Sequence, residues 1–198
     1  MFYRPQDGHG LPHNPLNAIV APRPIGWIST RGRQGDNLAP YSFFNLTAYV
    51  PPQVMFASTA AKPDRNGTKD SVAQIAESRV FCVNIADGPL KDQVNASSAA
   101  LPAGVTEFQA AGIEPAECES IDCPRVAGAA AALECRATRI LRLAGEANYM
   151  VLGVVTGIHL REDCLKDGRF DLRATGWLSR MGYKDYTITT QTFEMERP

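Results

Sequence analysis

Seven stretches of this 198-residue chain read as β-strands with only short helical patterns between them, and this narrows the fold more than any other feature. They are IGWIST, APYSFFNLTAY, QVMFAS, RVFCVNI, AALECRATRILRL, YMVLGVVTGIHL and YTITTQTF, several of them rich in β-branched and aromatic residues. No β-α alternation of regular length occurs, which argues against a parallel doubly wound sheet. The runs at 131–143 and 149–160 are long enough to coil around a small barrel. The reading is a mainly β fold, a β-barrel with a few short helices, in one domain over residues 1–198. One helix is expected at SVAQIAES, where Val72, Ile75 and Ala76 share a face and Ser71 with Gln74 reads as a capping box. Another is expected at TEFQAAG, capped by Thr106 and stopped by Gly112. Leu101 to Val126 reads as an excursion from the barrel, and the first dozen residues as an extended arm.

Composition closes off several functions. A net charge of -1 with dispersed basic residues leaves no footprint for nucleic acid. No apolar run approaches the roughly 18 to 20 residues of a membrane helix, and the first residues lack a signal-peptide pattern, so a cytoplasmic protein with no membrane partner is expected. Five cysteines form no C-x-x-C pair and leave an odd one over, which fits a reducing compartment better than a disulfide scaffold. Cys82 and Cys135 sit in apolar strand runs and read as inert core residues. His9 and His13 are separated by Gly10 and Pro12, which oppose a shared helix, and no metal site is assigned. His159 ends an apolar strand and reads as a surface or partner-satisfied histidine. Motifs for serine hydrolysis, P-loop phosphoryl transfer and Rossmann dinucleotide binding do not occur.

Two segments carry candidate chemistry. In NLAPYSFFN, small and hydroxyl-bearing Ala39 and Ser42 mix with Tyr41, Phe43 and Phe44 around Pro40, a surface suited to laying backbone amides and a hydroxyl along a flat heterocycle. PRPIGWIST upstream supplies Trp27 and the hydroxyls of Ser29 and Thr30. Each aromatic taken singly is more often core than ligand wall. The loop AAKPDRNGTKDS sets Lys62, Arg65 and Lys69 just before a helix beginning near Asp70 or Ser71, and Ser58 precedes it at a strand end. A helix amino terminus flanked by cations complements a phosphate, although by composition alone such a loop is more often simply solvated.

The order PRPIGWIST, NLAPYSFFN, PPQVMF, KDS and FCVNI, continued by NASSAALPAGVTEF, PRVAGAAAALECR, DGRFD and LSRMGYKDY, resembles the flavin reductase-like family over nearly the whole chain. The resemblance implies an FMN-binding split β-barrel. It further implies a homodimer with FMN near the interface and NADH or NADPH as reductant. FMN would be held by residues among Trp27, Ser29, Thr30, Ala39, Tyr41, Ser42, Phe43, Phe44, Ser58, Arg65, Lys69, Asp70 and Ser71. Lys69, Asp70 and Ser71 stand where the family's Lys-Asp-Thr lies near the flavin phosphate. The implied activity is NAD(P)H-dependent flavin reduction, for which the protein aligns nicotinamide and flavin, so no catalytic residue is assigned. An FMN electron carrier of flavoredoxin type, an oxygenase component with an oxygenase or electron-transfer partner, and a non-enzymatic ligand-binding barrel are the alternatives. One departure stands out: the family's Arg-x-Gly-Gly appears here as Arg180, Met181, Gly182, Tyr183, and the tyrosine is expected to alter access to the flavin.

Overall fold

A computed structural model describes residues 1–62, 67–102 and 104–198. Its strands and helices follow in order. A short helix α1 (Leu16–Ile19) precedes β1 (Arg23–Pro24), β2 (Gly26–Gly32), β3 (Gly35–Tyr41), β4 (Phe44–Tyr49) and β5 (Pro52–Ser58). Next come α2 (Asp70–Ser78), β6 (Val80–Ile85), α3 (Lys91–Ala96), α4 (Glu107–Ala110), β7 (Pro115–Glu117) and β8 (Pro124–Val126). The long β9 (Ala131–Arg142) and β10 (Tyr149–Leu160) are followed by β11 (Leu165–Lys166), β12 (Arg169–Phe170), β13 (Trp177–Arg180) and β14 (Tyr186–Thr189).

The main sheet has seven strands in the order β3-β2-β6-β9-β10-β5-β4, all pairs antiparallel. Its two edge strands, β3 and β4, are joined by only Ser42 and Phe43, so the sheet must curl until its edges meet. At that seam the Phe43 carbonyl accepts the Ala57 amide at 2.7 Å, and the Tyr41 and Phe56 rings lie 4.8 Å apart. Curling brings the end of β3 beside the start of β4 without pairing the two strands, so the β4 edge stays unpaired in the single chain. NLAPYSFFN is therefore not one strand but the end of β3, a break, and the start of β4.

The alternation along β2 sorts its side chains between two cores. Ile28 points into the barrel with Val54, Phe56, Phe81, Val83 and Val151, where Val72 and Ile75 of α2 plug one end. Trp27 points outward into a layer with Leu38 of β3, Val94 of α3, Phe108 of α4, Ile113 just beyond it and Val126 of β8. Covered on both faces, β2 is buried along nearly its whole length, and each fully buried large side chain contributes about 1.5–3 kcal/mol. Gly153 is where the barrel demands a missing side chain, since a Cβ there would stand 2.6 Å from the Phe81 ring.

Candidate functional site

Strand β3 and the amino terminus of α2 are locked together by side-chain hydrogen bonds. Asn37 Nδ2 donates to Ser71 Oγ at 2.9 Å and to Thr30 Oγ1 at 3.1 Å, and Thr30 Oγ1 donates to Gln74 Oε1 at 2.6 Å. Glu107 at the start of α4 accepts the Leu38 amide at 3.0 Å, tying a third element to the same strand. Thr106 caps α4 as the sequence indicates, but α2 starts differently. Its N-cap is Lys69, with no side-chain cap, because Ser71 and Gln74 turn to β2 and β3 instead of to each other. Tertiary hydrogen bonds outcompete the local capping box.

Between these elements lies a cavity of about 240 Å³, lined by Asn37, Ala39 and Tyr41 from β3 and by Lys69, Asp70 and Ser71 at the start of α2. Lys62, the turn from Ser97 to Ala100 and Glu107 complete its wall. The hydroxyls of Tyr41, Ser58 and Ser71 crowd together at one side. Yet Tyr41 Oη and Ser58 Oγ are both buried without a hydrogen bond of acceptable geometry. Buried polar atoms cost free energy when unpaired, so two such hydroxyls beside a cavity mark a place where a ligand completes the bonding.

Positive charge gathers at the same cavity. Lys62 Nζ reaches Asp70 at 2.5 Å, while Lys69 Nζ stands 5.6 Å from the Tyr41 ring centroid. Burial, then the neighbouring Lys62 charge, pulls the Lys69 ammonium below its ordinary value, so this cation gains from an incoming anion. Burial pushes the Tyr41 hydroxyl up, keeping it a neutral donor. It also pushes the Glu107 carboxyl up, an effect only partly offset by the Leu38 amide.

The structure brings Ala39, Tyr41, Lys69, Asp70 and Ser71 to this cavity, with Ser58 beside Tyr41 and Thr30 one hydrogen bond away through Asn37. Other expected contacts lie elsewhere. Trp27 is a core residue whose Nε1 donates to Ser97 Oγ at 2.9 Å, and Ser29 is buried with its hydroxyl on the Pro124 carbonyl at 2.6 Å. Ser42 and Phe43 form the barrel seam, where the Arg23 guanidinium sits 5.8 Å from the Phe43 ring, and Phe44 packs on Gly26. Arg65 falls outside the described residues. Sequence reasoning passed over Asn37, Glu107 and Ser97. Asn37 opens NLAP and was legible as a polar residue in a strand, whereas nothing local marks Glu107 as more than a first-turn helix residue.

At the carboxyl-terminal motif, Tyr183 takes φ 53°, the left-handed conformation that glycine adopts most freely. Its carbonyl accepts from Arg180, and its ring meets the His13 ring at 5.7 Å. A Cβ on the preceding Gly182 would stand 2.5 Å from Ala18 Cβ, so α1 closes over this turn.

The model of the flavin reductase like domain matches residues 20–176. The chain belongs to the flavin reductase-like family. Its barrel is the family's split barrel, as the resemblance implied. An uncharacterized protein of Deinococcus radiodurans is 40% identical over 193 residues, covering 92% of this chain and 82% of that one. Nitrilotriacetate monooxygenase component B from Bacillus cereus is 27% identical and superposes with a TM-score of 0.84, covering 95% of this chain and 100% of that one. A 2-nitrobenzoate 2-nitroreductase of Pseudomonas fluorescens is 26% identical with a TM-score of 0.79, covering 92% and 88%. Family and neighbours support a flavin-related oxidoreductase. Among the described residues no helix is long and apolar enough to cross a membrane.

Proposed function

We propose that this protein binds FMN non-covalently and reduces it with NADH or NADPH. The observation that carries the reading is the buried, unpartnered hydroxyl of Tyr41 on a cavity also lined by Lys69 and the amino terminus of α2, with the equally unpartnered Ser58 hydroxyl beside it. That donor set fits a cofactor ending in a phosphate. Lys69 supplies charge, Ser58, Tyr41 and Ser71 supply hydroxyl donors, and the first turn of α2 adds positive potential. Thr30 and Asn37 hold Ser71 in place. When bound, the flavin supplies a two-electron acceptor at N5; the chain's part is to bind, orient and exclude water.

The experiment has two arms. In a fluorescence titration FMN binds more tightly than riboflavin, because removing the phosphate deletes charge-assisted hydrogen bonds of about 1.5–3 kcal/mol apiece. Equal affinities overturn the phosphate assignment. In anaerobic stopped flow, NADH or NADPH bleaches the FMN-loaded protein, and air restores the colour. If neither nucleotide acts but a reduced protein does, the electron-carrier reading takes over. A second reading, delivery of reduced flavin to an oxygenase partner, draws support from the similarity to a monooxygenase component B.

In this reading the protein is a cytoplasmic homodimer. Five free thiols suit a reducing compartment, and the β4 edge presents Leu46 and Tyr49, with Val50 beyond it, as exposed apolar residues suited to a second copy. A single monomer mass in light scattering at micromolar concentration refutes the dimer.

A further inference from the structure

Three of the five cysteines converge outside the cavity. Cys118 follows the last residue of β7 and Cys123 precedes the first of β8, so they extend the pairing of Glu117 with Pro124 by one step. The Cys118 amide donates to the Cys123 carbonyl at 3.1 Å, which makes the two residues direct cross-strand neighbours. Cys82 belongs to β6 and pairs with Ser29 of β2, and Cys123 Sγ lies 3.3 Å from the Ser29 carbonyl. Val80, Ile121 and Ala132 pack around the group.

The three thiols are not equivalent. Cys82 and Cys123 are fully buried, whereas Cys118 is half-buried and is the one a small solute reaches first. Thiols of Cys123 and Cys82 donate toward Cys118 Sγ, which favours its thiolate and holds its pKa below the ordinary value. The single Cys123 proton has two other acceptors, the Ser29 carbonyl at 3.3 Å and the Pro124 carbonyl at 3.4 Å; a charged sulfur at Cys118 is the stronger acceptor. Hydrogen-bonded cross-strand pairs have Cα atoms about 5.5 Å apart, inside the span of about 4.4–6.8 Å that a disulfide bridges.

We propose that Cys118 and Cys123 form a reversible dithiol site oxidised by hydroperoxides, with Cys118 as the attacking sulfur and Cys123 as the resolving one. The Cys118 thiolate breaks the O–O bond of H₂O₂, becoming a sulfenic acid and releasing hydroxide, which takes up a proton to leave as water. Cys123 sulfur then attacks Cys118 sulfur, expelling that oxygen as a second water with the Cys123 proton. In balance two thiols and one H₂O₂ give one disulfide and two waters, the sulfurs losing the two electrons that the peroxide gains. Neither step uses flavin, so the site stands apart from the proposed function.

The test uses the full chain, reduced and then freed of reductant, and treated with a small excess of H₂O₂. Titratable thiols fall from five to three, as two enter one bridge, and dithiothreitol restores them. Trypsin leaves Cys118 and Cys123 on one peptide, residues 92–125, and Cys82 on another, residues 80–91. The first peptide becomes lighter by two hydrogens without linking to the second. Cys118→Ser keeps all its remaining thiols at the same dose, and Cys123→Ser accumulates a dimedone adduct on Cys118. Survival of all five thiols, equal thiol loss in Cys118→Ser, or a tryptic cross-link between the two peptides overturns the proposal. Should either variant fail to fold, the wild-type peptide map decides alone.

Discussion

Replacing Glu134 by glutamine removes a buried charge that organises one side of the barrel. This carboxylate is 1% exposed, and its two oxygens accept four hydrogen bonds. Oε1 takes the Glu119 amide at 2.7 Å and His159 Nε2 at 2.5 Å; Oε2 takes the Ser120 amide at 2.6 Å and Ser120 Oγ at 2.5 Å. Glutamine turns one oxygen into a donor facing two donors, which deletes two charge-assisted bonds at about 1.5–3 kcal/mol each. The same bonds act on the ionisation of this carboxyl. Burial alone pushes this carboxyl up, but the Ser120, Glu119 and His159 bonds outweigh it and hold the folded pKa at about 2 against an ordinary 4.5. At 1.36 kcal/mol per unit that difference is about 3 kcal/mol, the lower end of the bond count. Because the folded pKa is depressed, this stability is present above about 4.5 and is lost as pH falls from there through about 2. Urea unfolding at neutral pH should show Glu134→Gln less stable by about 3 kcal/mol, with Tm lower by about 6–12 °C for a chain of this size. Repeated between pH 2 and 5, the wild type should converge on the variant. A loss under about 1 kcal/mol, or parallel acid limbs, would refute the reasoning.

Lys69→Ala should weaken FMN binding at least tenfold, about 1.4 kcal/mol, while stability moves by no more than about 0.5 kcal/mol; fluorescence titration and thermal melts check both. Since burial and Lys62 lower the Lys69 pKa, FMN affinity of the wild type should fall as pH rises toward 10.5, a dependence the variant lacks. Tyr41→Phe should leave the ligand-free protein as stable or more so, because it removes a buried hydroxyl without a partner, yet it should weaken FMN; a destabilised ligand-free variant would mean Ser58 or Ser71 already satisfies that hydroxyl. Glu107→Gln keeps an acceptor for the Leu38 amide and removes a carboxyl whose folded pKa is raised. The wild type should lose stability as pH climbs from 4.5 through that raised value, and the variant should not, which denaturant melts across that range will show.

Much of this protein is written locally. The β-branched and aromatic residues of FCVNI, QVMFAS and the two long runs specify strands, because such side chains pack well on a pleated surface. The loop ending in Lys69, Asp70 and Ser71 announces cations before a helix start, and the structure sets those residues on the cavity. Local signals stop there, since periodicity reports that a face is buried but not what covers it. Trp27 and Tyr41 look alike as sequence, both aromatic neighbours of hydroxyls. In the folded sheet β2 turns Trp27 into the outer core, while β3 leaves the Tyr41 hydroxyl unpartnered beside the cavity. Glu107, Glu134 and the thiol of Cys82 acquire their partners from strands and loops far along the chain. Their ionisation depends on burial and on which donors converge there, and both are set by strand order and barrel closure, properties no stretch of adjacent residues encodes.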